Sequence, residues 1–234
     1  MKINETSPFL HRFKDSIGRG QDNVVVPLSN DNNLVVKWNH DPKEPIEKEQ
    51  SFNRTLYKKK KYEMLKFFLG DFIPESYFVL GNKKDGNKIK VKEYTIQKRV
   101  PKVSIAELDE DKKNNPILLK NIHLLIRKLG NMHKIINQVN NAVNKGQIDG
   151  KLDLGGLSKF AEDYLNEKPY NSKIIDPNFM NSPNLLVNPE TMNLYCVDFD
   201  KGEWNEEKEA TFVLVKAVAN QNQKVMDLIN ENNS

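Results

Sequence analysis

Cys196 is the only cysteine in the chain, which excludes an intramolecular disulfide framework and any metal site built from several thiolates. The four histidines, at 11, 40, 123 and 133, fall at no spacing that would bring two imidazoles to one metal ion. No apolar run approaches the roughly 18 residues of a membrane-spanning helix. The N-terminal stretch also lacks the apolar core of a signal peptide. These absences lead to the expectation of a cytoplasmic chain with no membrane partner. Charge of one sign is scarce too: 36 basic residues stand against 32 acidic ones, a net of +4, mixed along 234 residues. Such a small excess favours an anionic ligand only weakly. With 38% hydrophobic residues and a mean hydropathy of −0.68, the chain is polar. Its apolar residues nevertheless cluster in runs, and its length suffices for a core without staples.

The runs have a clear order. A glycine turn from Ile17 to Asn23 feeds the apolar segment Val24-Val25-Val26. Pro27 to Asn33 reads as a turn, and Leu34 to Trp38 as a second strand. From Lys43 to Leu69, Phe52, Leu56, Tyr62, Leu65 and Phe68 or Leu69 recur at helical steps and predict one long amphipathic helix. Tyr77 to Leu80 and Ile89 to Val100 read as strands, with a turn from Gly81 to Asn87. The rest is mainly helical: Ile117 to Val139, with Leu118, Ile122, Leu125, Ile126, Leu129 and Met132 in register, then Leu157 to Leu165, then Ala210 to Ile229. The charged stretch Pro101 to Asn115 divides the chain into 1–100, a sheet with one helix, and 101–234, a helical part carrying one hairpin.

That hairpin is the most informative feature. Leu185-Leu186-Val187 and Leu194 to Phe199 flank the turn formers Asn188-Pro189-Glu190-Thr191. Asn184 and Asp198 then stand at one end of it. A carboxamide and a carboxylate placed together suit a hard cation such as Mg²⁺, which is held by a few oxygen ligands and by substrate phosphates. Nucleotide chemistry is the implied class.

A sheet with one helix, a connector, and a helical part holding such a hairpin resembles the protein-kinase-like fold: α+β, bilobal, with an antiparallel N-lobe sheet. Gly18-x-Gly20 followed by Val24-Val25 resembles the glycine-rich phosphate loop, and Val35-Val36-Lys37 the strand lysine that contacts the phosphates. Glu63 looks like the helix glutamate that pairs with that lysine. Tyr94 to Val100, including Gln97, looks like the hinge that holds adenine. Asn184 and Asp198 match the catalytic-loop asparagine and the aspartate of Asp-Phe-Gly. The resemblance thus implies ATP and Mg²⁺ as cofactors, with Gly18, Gly20, Val25, Lys37 and Gln97 toward the nucleotide and Asn184 and Asp198 toward the metal. A hydroxyl on a protein or small molecule would accept the phosphate.

Departures from the pattern qualify what is implied. Asn23 replaces the third glycine of the loop, and asparagine tolerates positive φ better than most residues. Phe179 occupies the place of the catalytic aspartate, five residues before Asn184. Asp176 lies three residues further upstream and is the candidate base, with Asp153 as a second. Asp200 replaces the glycine of Asp-Phe-Gly, as in the small-molecule branch resembling aminoglycoside phosphotransferases. Too little sequence follows Asp200 for an activation segment, so a minimal, atypical kinase-like domain is expected.

Plainer readings stand beside these. Glu63 has Lys59 and Lys60 on its own helix as partners, Lys37 has Glu47 or Glu49, and Asn184 can cap a turn. Cys196 reads as a small core residue and His133 as structural. Two further functions compete with a phosphotransferase. A pseudokinase, binding nucleotide or scaffolding without turnover, is favoured by Phe179. A nucleic-acid-binding protein would use Lys58 to Lys61, although such a run is more often the solvated face of a helix.

Overall fold

The computed structural model of the chain describes residues 18–19, 23–28, 31–39, 48–85, 88–101, 103–145, 185–197 and 213–224. It is a mixed α/β structure. Strands β1 (Gly18–Arg19), β2 (Asn23–Leu28), β3 (Asp31–Asn39), β4 (Ser76–Asp85) and β5 (Lys88–Lys98) form an antiparallel sheet in the order β1-β2-β3-β5-β4. Helix α1 (Lys48–Leu69) connects β3 to β4. A short helix α2 (Glu110–Lys113) and the 29-residue α3 (Pro116–Asn144) follow. The hairpin β6 (Leu185–Val187) and β7 (Leu194–Cys196) and the helical segment 213–224, α4, complete the described chain. No helix among the described residues is long and apolar enough to cross a membrane.

Side-chain alternation gives the sheet two different faces, because successive residues of a strand point to opposite sides. Val24, Val26, Val36, Trp38, Tyr94 and Ile96 form one apolar cluster on one face. Val25, Lys37, Thr95 and Gln97 take the alternate positions, and α1 covers that face. Tyr62 of α1 packs on Phe78 with the rings tilted by 59° and their centroids 5.7 Å apart, and its hydroxyl accepts the Ser76 N–H at 3.4 Å.

α3 starts where local chemistry dictates. Asn115 Oδ1 accepts the Ile117 N–H at 2.8 Å, a side-chain cap, and Pro116 fills the first helical position, where no amide partner is needed. Its stripe of Leu118, Ile122, Leu125, Leu129, Met132, Ile136 and Val139 is buried. That stripe joins Met64, Leu65 and Leu69 of α1, Leu185 and Val187 of β6, Leu194 and Cys196 of β7, and Val215 of α4 in the larger core. This core draws on both sides of residue 100.

Several expectations need correction. Gly18, Arg19, Asn23, Pro27, Leu28 and Asp31 to Asn33 belong to strands rather than to the two expected turns. The α1 stripe is only partly the expected one: Leu65 and Leu69 are buried and Tyr62 and Phe68 pack against the core, but Phe52 is 54% exposed, and Tyr57, Lys58, Lys61 and Met64 are buried as well. The lysine stems extend the stripe, as long amphipathic side chains can. Gly81 to Asp85 are strand rather than turn, paired with β5 as far as Asp85↔Lys88, which leaves only Gly86-Asn87 as the connection. The predicted helix Leu157 to Leu165 lies outside the described residues.

Candidate functional site

A single cross-strand row holds most of the nucleotide candidates. Gly18 is opposite Val25, Val25 opposite Lys37, and Lys37 opposite Thr95. Directly opposed residues share a face, so Val25 and Lys37 project from the side that α1 covers. The hydrophobic alternation of β2 and β3 sets this register. A slip of one residue would carry Lys37 into the apolar cluster of Val36 and Trp38.

Lys37 reaches the hairpin. Its Nζ donates to the Val197 carbonyl oxygen at 3.0 Å, across 160 residues of sequence. Leu185 pairs with Cys196, so the chain enters β6 and leaves β7 at the same end, and that is the end Lys37 touches. An ammonium has three donors, and this bond occupies one; Lys37 has further interactions as well. The turn at the other end is held by Asn188. Its Oδ1 accepts the N–H groups of Glu190 at 2.9 Å and Thr191 at 3.2 Å, and its carbonyl accepts Met192 N–H at 2.8 Å. Met192 takes a φ of 59° with its side chain buried, a conformation uncommon for a non-glycine residue. The connector adds to the hairpin: Val187 N–H donates to Val103 O at 2.9 Å, and Ser104 bridges Leu186.

The remaining candidates are placed as follows. Glu63 sits 3.9 Å from Lys59, four residues earlier on α1, with both side chains well exposed. The pairing of Glu63 with Lys37 is not among the described ion pairs, and Glu49 is exposed in the first turn of α1. Gln97 is buried, and its amide donates to Ser76 Oγ at 3.0 Å. Its strand is paired on both edges, with Val35 and with Ser76. The amides of Lys98 and Arg99 are also engaged, by Glu75 O and Asn33 O, so the hinge-like backbone is committed to the sheet through Arg99. Gly20, Asp153, Asp176, Phe179, Asn184, Asp198 and Asp200 lie outside the described residues. Among the described residues no group of three or more His, Cys, Asp or Glu could hold a metal ion.

One charged contact escaped the sequence. Lys58 Nζ meets Glu93 Oε2 at 3.0 Å, with both side chains nearly buried, and Glu93 Oε1 is buried with no described partner. Lys61, also buried, lies over the Tyr57 ring at 5.7 Å. The lysine run is therefore not a uniformly solvated face. A hint existed in the inward position of Glu93, in step with Thr95 and Gln97, but nothing in sequence pairs it with Lys58. His133 Nε2 accepts from the Asn137 amide at 2.9 Å, an intrahelical contact four residues apart.

No family model matches the chain, and no curated protein is similar to it. Among solved structures, it is similar to the GDP complex of an aminoglycoside 2'-phosphotransferase-IIIa F108L mutant. The similarity covers 87% of this chain and 74% of that one at 16% identity, with a TM-score of 0.37. So loose a superposition carries no argument about this chain's chemistry, and the functional reading has to stand on the row Gly18–Val25–Lys37 and its contact with Val197.

Proposed function

We propose that the chain is an ATP- and Mg²⁺-dependent phosphotransferase of bilobal, kinase-like architecture, 1–100 and 101–234, acting in the cytoplasm on a hydroxyl acceptor carried by a protein or a small molecule. The observation that carries this reading is the bond from Lys37 Nζ to the Val197 carbonyl. It draws the sheet lysine to the peptide immediately before Asp198. Phosphate charge in a cleft is neutralised by cationic side chains and backbone N–H groups near one another, and this bond supports such an assembly.

In this reading Lys37 and the loop from Gly18 to Gly20 bind the phosphates. Val25, in the same row, lends apolar surface to the nucleotide, and the stretch around Gln97 borders the base. Asn184 and Asp198 are oxygen donors of the kind Mg²⁺ takes, and the ion when bound neutralises phosphate charge. The Asp176 carboxylate orients the acceptor hydroxyl and takes its proton as the oxygen attacks phosphorus. Glu63 orients Lys37 by leaving Lys59, an exposed pair that costs only about 0.5 kcal/mol to break.

The test is MgATP binding by calorimetry and phosphate release by purified protein, beside Asp198→Ala and Asp176→Ala. Binding with turnover that is lost in both variants supports the proposal. Binding without turnover supports the second reading, a pseudokinase, which Phe179 and the present engagement of Glu63 with Lys59 favour. Absence of nucleotide binding overturns both. The nucleic-acid reading is weakened because Lys58 and Lys61 are buried, which removes half of the cationic run from any phosphate backbone.

A further inference from the structure

Strands β4 and β5 run past the rest of the sheet. β3 pairs with β5 only from Leu34↔Lys98 to Lys37↔Thr95, whereas β4 stays paired with β5 over seven further positions, from Val79↔Tyr94 to Asp85↔Lys88. Among the described residues this extension is a two-stranded antiparallel ribbon, about 20 Å long. Its base is fixed to α1, because Glu93 meets Lys58 at 3.0 Å with both side chains nearly buried.

The charge of the ribbon is one-sided. Residues 81–90 hold Lys83, Lys84, Lys88 and Lys90 against the single acid Asp85, a net of +3 in a chain whose total is +4. The register sets Lys83 directly opposite Lys90, and like charges so opposed destabilise a sheet. Asp85 stands opposite Lys88 and offsets one of the four charges. A bound polyanion would relieve the repulsion that is left. This surface is distinct from the run Lys58 to Lys61, in which Lys58 and Lys61 are buried.

What the ribbon lacks narrows the choice of polyanion. Between Gly81 and Lys92 there is no arginine and no aromatic residue. Protein partners are met through arginine and aromatic residues at surfaces poor in lysine. Single-stranded nucleic acids are held by stacking on aromatic rings, and segments that lie in a membrane surface insert Trp, Phe or Leu. The phosphates of a duplex ask only for cations, whose approach releases condensed counterions. Shape agrees, since the major groove of B-form DNA admits a two-stranded ribbon, while that of A-form RNA is too narrow for side chains to read.

We propose that the β4–β5 ribbon docks in the major groove of duplex DNA without selecting sequence, Lys83, Lys84, Lys88 and Lys90 meeting phosphates along the groove. The proposal is independent of the nucleotide site.

The test is fluorescence anisotropy of a short labelled DNA duplex of mixed sequence, titrated with the full chain between about 50 and 200 mM KCl. Four phosphate contacts predict a slope of log affinity against log salt of about −3.6, or about a hundredfold weakening over that range. Lys83→Gln with Lys90→Gln should weaken binding at the lower salt by about tenfold or more and bring the slope to about −1.8. It removes an opposed pair of like charges, so urea unfolding should show it no less stable than wild type. Lys84→Gln with Lys88→Gln should reduce the slope by the same amount. Lys59→Gln with Lys60→Gln, an equal loss of charge on α1, should leave binding nearly unchanged, and duplex RNA of the same sequence should bind more weakly. Absence of binding at the lower salt, salt-independent binding, or wild-type affinity in both ribbon variants overturns the proposal. So does equal weakening by the α1 variant, because net charge and not the ribbon would then be responsible. RNA bound as tightly as DNA overturns it too, as does adsorption to phosphatidylserine vesicles with no binding to DNA.

Discussion

Lys37 and Val197, 160 residues apart, are joined by a 3.0 Å bond from an ammonium to a peptide carbonyl. The contact ties β3 to the β6–β7 hairpin at the end from which Asp198 departs. Lys37→Met keeps the stem and removes the charge. Under the proposed function it should weaken MgATP binding about tenfold, or about 1.4 kcal/mol, in calorimetry. Its cost in folding stability should be at least about 1 kcal/mol, because the bond to Val197 is lost together with the other interactions of the ammonium. Unchanged nucleotide affinity in a folded Lys37→Met protein would count against Lys37 as a phosphate ligand.

The Lys58–Glu93 pair makes a prediction about stability alone. Both side chains are more than nine-tenths buried and 3.0 Å apart, so removing one partner strands the other charge out of water. Lys58→Met should cost about 3 kcal/mol in urea unfolding. The double variant Lys58→Met with Glu93→Leu should recover most of that loss, since an apolar pair of similar volume needs no desolvated charges. A double variant no better than the single one would show that the pair does not act as a unit.

How far the sequence foretells this structure depends on which residues carry the signal. Alternation in Val24, Val26, Val36 and Trp38 gave the sheet its faces, and Asn188-Pro189 gave the hairpin its turn, because both signals are local. The α3 stripe was equally plain, since apolar residues alone form it. The α1 stripe was only partly so, because Lys58 and Lys61 are buried too: Lys58 meets Glu93, 35 residues away, and Lys61 lies over the ring of Tyr57 on its own helix. Gly81 looked like a turn residue, yet its amide and carbonyl can pair in a strand like any other, and it stands opposite Lys92. Of the candidate site, Gly18, Val25 and Lys37 were singled out one by one, but their alignment in one row was not foreseen, because Gly18 and Arg19 pair as a strand where a turn was expected. The contact between Lys37 and Val197 was not foreseen either, because it depends on how the sheet packs on the hairpin.

Asn188 concentrates the hairpin turn in one side chain. Its Oδ1 accepts two amides, and Met192 is held at a φ of 59° beside it. Asn188→Ala should therefore cost about 1–2 kcal/mol, the usual loss when a capping side chain is removed. Asn188→Asp, which keeps the acceptor, should cost less than half as much. Chemical denaturation checks the ranking, and an alanine variant as stable as wild type would mean that backbone bonds alone hold the turn.

Tyr62 gives the fold an alkaline limit. Burial against the sheet raises its pKa above 10.0, Glu75 and Tyr77 add to the rise, and the Ser76 N–H, which favours the phenolate, opposes it. The folded state thus binds the phenolic proton more tightly than the unfolded chain does. The associated stability is complete below the unfolded value and is lost as pH rises through the folded one. Wild-type stability should accordingly fall above pH 10, partly on account of this one group. Tyr62→Phe keeps the ring against Phe78 and loses the hydroxyl with its long 3.4 Å bond from Ser76 N–H, which should lower stability near neutrality by about 1 kcal/mol. Its decline between pH 10 and 12 should be shallower than that of wild type in urea unfolding followed across pH. Parallel declines in the two proteins would assign the alkaline limit to other groups.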